Sequence, residues 1–84
     1  MVTNEEVDSY WGSLTDAEKM RRARLTGIWQ ALIHGIHKGA TDEEIASRLN
    51  SGEYPSTYRR VFGNAYSVHS REVHHVRQLI KAQG

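Results

Sequence analysis

The chain predicts an all-α bundle of about five helices, and three observations carry that prediction. A Thr-x-x-Glu pattern recurs at Thr3–Glu6, Thr15–Glu18 and Thr41–Glu44. In such a capping box the threonine oxygen accepts an unpaired N–H at a helix start, and the glutamate reaches back to the threonine N–H. Apolar residues follow these starts at three- and four-residue spacing, and no stretch alternates as a strand would. Hydrophobic content of 38% with a single proline fits a small helical protein rather than a disordered chain. A length of 84 residues predicts one domain spanning 1–84, with 1–12 as an N-terminal arm or short helix. The core of so short a chain is near the lower limit for holding a fold unaided. With no cysteine, neither a disulfide nor a thiolate metal site can help.

The first helix is predicted from about Asn4 to Trp11, with Gly12 ending it. The second, about Asp16 to Lys38, is the longest. Its apolar face runs through Leu25, Ile28, Trp29, Leu32 and Ile36, and Gly39 is a left-handed stop. Ala23, Gly27, Ala31 and Gly35 form a row of small residues beside that face. Glycine inside a helix costs about 1 kcal/mol relative to alanine, so the row calls for either close approach of another helix or a kink near Gly27. The third helix, about Asp42 to Leu49, buries Ile45, Ala46 and Leu49, and Asn50-Ser51-Gly52 breaks it. Pro55 opens a fourth carrying Tyr58, Val61 and Phe62, interrupted at Gly63 or Asn64. The last runs from about Arg71 to Ala82, capped by Ser70, with Val73, Val76 and Ile80 as its inner stripe.

Charge is distributed unevenly. Residues 1–18 hold five acids and no lysine or arginine, whereas from Tyr54 onward Glu72 is the single acid among five arginines and lysines. A phosphate backbone responds to the local field of one face rather than to the formal net charge of +1.

Two segments resemble parts of a helix-turn-helix. The first is Gly39 to Leu49, GATDEEIASRL, whose Ile45-Ala46-x-x-Leu49 run is similar to the first helix of many bacterial and phage helix-turn-helix proteins. Those families follow the leucine with glycine, an apolar residue, and a helix starting at serine or threonine. Here Asn50, Ser51, Gly52 and Glu53 follow instead, and the next helix start comes about three residues late. The second is Arg59 to Gln78, RRVFGNAYSVHSREVHHVRQ. Gly63 takes the crossing position, Tyr66 and Val68 bracket the turn, Ser70 starts the second helix, and Val73 and Val76 face inward. Ser67 departs from the glycine usual in that turn.

The later segment is the preferred reader. On it His69, Arg71, His74, His75 and Gln78 would project into the major groove, where arginine reads guanine and glutamine reads adenine, and Ser70 at the helix start joins the DNA-binding set. Arg59, Arg60, Arg77 and Lys81 would contact phosphates. The resemblance is to small helix-turn-helix DNA-binding proteins of phages and mobile elements: repressors, Cro-type regulators and excision factors. It implies control of transcription or recombination, double-stranded DNA as partner, and a homodimer as a further partner. The rival reading is a helical protein-interaction module, such as a phage-encoded inhibitor or adaptor of a host protein.

Other chemistries find little support. His34 and His37 share a helix face at a spacing that can hold a metal ion, but no third ligand is indicated, and His74 and His75 diverge by about 100°. The expectation is therefore no metal, no cofactor, no small-molecule substrate and no enzymatic activity. An acidic N-terminus and the lack of a long apolar run point to a cytoplasmic protein with no membrane partner.

Overall fold

The computed structural model describes residues 2–33, 39–51 and 67–83. The fourth helix expected from Pro55, together with Arg59, Arg60 and the first half of the later motif, lies outside them. So do His34, Gly35, Ile36 and His37. Among the described residues there are five α-helices and no strand: α1 Asn4–Gly12, α2 Asp16–Thr26, α3 Ile28–Ile33, α4 Asp42–Asn50 and α5 Ser70–Gln83. None of them is long and apolar enough to cross a membrane.

All three threonine starts are helix caps. The Thr3, Thr15 and Thr41 hydroxyl oxygens accept from the N–H of Glu6, Glu18 and Glu44 at 3.1, 3.2 and 3.2 Å. The reciprocal bond, from the threonine N–H to the glutamate, forms at Thr15, at 2.9 Å. At Thr3 and Thr41 the hydroxyl donates to the glutamate carboxylate instead. Helix α1 ends at Gly12 as expected, and Ser13 caps it in a right-handed conformation, its hydroxyl donating to the Tyr10 carbonyl.

The long second helix is corrected to two. Gly27 takes φ 83°, caps α2 and starts α3 one residue later. A left-handed residue re-aims the chain, so the predicted stripe does not continue across it. Ile28 is fully buried, whereas Leu25, Trp29 and Leu32 are half-buried. The small residues Ala23 and Ala31 are fully buried instead, with Thr26 between them donating to the carbonyls of Arg22 and Ala23. Both expectations for the small row therefore meet here: a break at Gly27, and close packing within the chain at Ala23 and Ala31. Gly39 does take the left-handed conformation, φ 85°. Gly27→Ala is expected to cost about 1–2 kcal/mol, because a Cβ is disfavoured at positive φ. A urea midpoint equal to wild type would show that the left-handed turn is absent in solution.

Helix α5 is the hub, packing against α1, α2, α3 and α4. Val73 and Val76 are fully buried, Leu79 nearly so, and Ile80 packs at the margin. Opposite them Trp11, Ile28, Ile45 and Leu49 complete the core.

Candidate nucleic-acid interface

The outward side of α5 follows from where its inward side is fixed. Residues advance by about 100° each, so the buried stripe of Glu72, Val73, Val76 and Leu79 leaves Ser70, Arg71, His74, His75, Arg77, Gln78 and Lys81 on the other arc. Gln78 and Lys81 are exposed and the other five half-buried. Every predicted site residue among the described ones therefore lies on this face or at its cap. Arg59 and Arg60 lie outside the described residues.

The cap differs from expectation. His69, not Ser70, precedes the helix: its Nδ1 accepts from the Arg71 N–H at 3.0 Å, and the Glu72 N–H donates to its carbonyl. Glu72 reaches back to the His69 N–H at 3.4 Å. Histidine thus stands where a capping box has serine or threonine.

Glu72 does more than cap. It is 5% exposed, and its Oε2 accepts from Trp11 Nε1 at 3.3 Å and Arg22 Nε at 2.9 Å. One carboxylate thereby joins α1, α2 and the start of α5. The Arg22 guanidinium also lies over the Tyr10 ring, 5.0 Å from its centre. The sequence signal for this role was a lone acid in a basic segment, three residues after His69.

Both rims of the face are tied to acids on neighbouring helices. On the α1 side, Asp8 Oδ1 accepts from Arg71 Nε at 2.7 Å and lies 2.6 Å from His75 Nε2. The His75 ring stacks on Trp11, 5.6 Å between centres and nearly parallel, with His74 edge-on to it. On the α4 side, Arg77 donates from Nε to Asp42 at 2.7 Å and from Nη2 to the Ala40 carbonyl at 2.8 Å. Two cations expected on nucleic acid are therefore engaged within the chain. Their partners, Asp8 and Asp42, carried no local signal.

The Arg71 hydrogen bond, and after it that of His75, lowers the Asp8 carboxyl from its ordinary 3.8 to about 2, and Asp8 in turn raises Arg71. A carboxyl held lower when folded contributes stability above its unfolded value, and that contribution is lost as pH falls through the folded value. Wild type should therefore lose stability between about pH 4 and pH 2 more steeply than Asp8→Asn, as read by urea denaturation. Equal slopes would mean that the ion pair does not persist in solution.

A side chain of α4 reaches the residue before the α5 cap. Asn50, the last residue of α4, donates from Nδ2 to the Val68 carbonyl at 2.9 Å and accepts from the Val68 N–H at 2.7 Å. The amide of one residue thus pairs with both backbone groups of another, 18 positions on. Val68 is 6% exposed and belongs to the core. Asn50 and Val68 thus meet although residues 51–67 separate them in sequence.

No protein-family model, curated protein or solved structure matches this chain.

Proposed function

We propose that the protein is a sequence-specific DNA-binding protein of helix-turn-helix type, with α4 as its first helix and α5 as its reading helix. The pairing of Asn50 with Val68 carries this reading. Helix-turn-helix proteins place a glycine, an apolar residue and a capped helix start after their Ile-Ala-x-x-Leu run. Here Ile45, Ala46 and Leu49 are buried in the core that α4 shares with α5, followed in space by Asn50, apolar Val68 and a helix capped at His69. The two segments that competed in the sequence each contribute one half.

In this assignment Ser70, Arg71, His74 and Gln78 face base edges, and Lys81 contacts phosphate. Arg77 holds α5 to the start of α4, and His75 holds it to α1. The resemblance supports a biological role as a transcriptional regulator, or an excision factor, of a phage or mobile element. An interaction module is the second reading. It rests on the pairing of Arg71 and Arg77 with acids, which leaves the face with little net charge.

Fluorescence anisotropy with a mixed-sequence duplex separates them. DNA binding should weaken with salt, and Lys81→Ala should reduce the slope of log affinity against log salt by about 1. Folded protein that binds no duplex at about 50 mM salt would favour the interaction module.

A further inference from the structure

Arg71 and Arg77 flank the same helix face, and each donates its Nε to an aspartate, but their remaining donors differ. Arg77 also gives Nη2 to the Ala40 carbonyl, which fixes it against α4. The Arg71 guanidinium makes a single hydrogen bond among the described residues, from Nε to Asp8. Its two terminal amino groups are thus left for a ligand on a side chain that is 37% exposed.

The aspartate is itself braced. Asp8 Oδ1 also meets His75 Nε2, the His75 ring lies flat on Trp11, and Trp11 is fully buried and donates to Glu72. A core residue, a stacked imidazole and a carboxylate therefore lead in sequence to one guanidinium edge.

We infer that Asp8 is a positioning residue that makes Arg71 a reader of guanine: α1 holds the Nε edge, and the terminal amino groups span N7 and O6 of a single guanine. The inference rests on the helix-turn-helix reading of α4 and α5. Four arguments support it. Guanine presents two acceptors in the major groove at the spacing of an arginine fork. Arg71 is the second residue of α5, and base contacts come from the start of the second helix. A carboxylate beside the guanidinium repels a phosphate but tolerates a neutral base edge, so this arginine suits base readout better than backbone contact. An arginine already held in place also loses less side-chain freedom on docking. The depressed Asp8 carboxyl keeps the brace ionised through the neutral range.

The test is selection of the intact chain on random-sequence duplexes, followed by affinities on the selected duplex. One position should be guanine, and its replacement by 7-deazaguanine, which lacks the N7 acceptor, should weaken wild type by about tenfold. Arg71→Ala and Asp8→Ala should each bind more weakly and show less than about a twofold effect of the same replacement. Asp8→Asn keeps the side-chain shape and should behave likewise if Asp8→Ala does not fold by circular dichroism. Asp8 variants that bind more tightly, or that keep the full 7-deazaguanine penalty, overturn the inference. Guanine preference that survives Arg71→Ala overturns it while leaving the helix-turn-helix reading intact. Wild-type protein that selects no duplex overturns both.

Discussion

Trp11→Ala is expected to remove about 3–5 kcal/mol of stability, as much as the entire margin of many domains of this size. Among the described residues the indole is the largest fully buried side chain, and it ties α1 to α5. Its Nε1 donates to Glu72, and its ring carries His75. Alanine would leave a cavity and deprive the 5%-exposed Glu72 carboxylate of a donor. Far-ultraviolet circular dichroism at 25 °C should show a largely unfolded chain. Trp11→Phe keeps most of the volume and loses the N–H, so a smaller loss of about 1–2 kcal/mol is expected. If urea denaturation of Trp11→Ala shows a loss below about 1 kcal/mol, α1 is not part of the cooperative core.

Asn50→Ala is expected to cost about 2–3 kcal/mol, since it leaves the N–H and carbonyl of Val68 without their partners where water has little access. The effect should be local in structure. Helicity by circular dichroism should survive under native conditions, while the Val68 amide loses its protection in hydrogen exchange. Duplex binding should weaken as well, because the start of α5 is no longer registered on α4. A Val68 amide that exchanges at the wild-type rate would show that the side-chain pairing does not form in solution. The proposed helix-turn-helix reading of α4 and α5 would lose its main support with it.

The parts of this fold that were legible in the sequence are those whose causes are local. Thr3, Thr15 and Thr41 cap helices because the hydroxyl, the backbone N–H and the glutamate lie within four residues of each other. The inner face of α5 was legible for the same reason: Val73, Val76 and Ile80 recur at helical spacing, though Leu79 and Glu72 extend the buried stripe beyond them. Glycine was more ambiguous. Gly39 adopts the left-handed conformation its position suggested, Gly12 ends α1 without it, and Gly27 splits a helix whose apolar spacing looked continuous. A left-handed residue changes the direction of the chain without changing the composition around it, so periodicity alone does not reveal it.

The candidate site divides along the same line. Amphipathic spacing placed Arg71, His74, Gln78 and Lys81 on one helix with Ser70 at its cap, and the described structure keeps them on its outer arc. Whether such residues are open to a partner depends on contacts far away in sequence. Asp8 lies 63 positions from Arg71 and 67 from His75, and Asp42 lies 35 from Arg77.

By itself, the sequence determined that this protein is helical, where several of its helices begin, and which side of the last one faces inward. Capping and amphipathic spacing act over a turn or two, and they are written in adjacent residues. Only the tertiary structure decided that Asn50 meets Val68, which brings α4 and α5 together across an intervening segment. It also decided that acids from α1 and α4 hold the arginines of α5. Those pairings form because burying Trp11, Ile45 and Val73 in one core brings distant side chains within hydrogen-bonding distance, and no local pattern encodes that proximity.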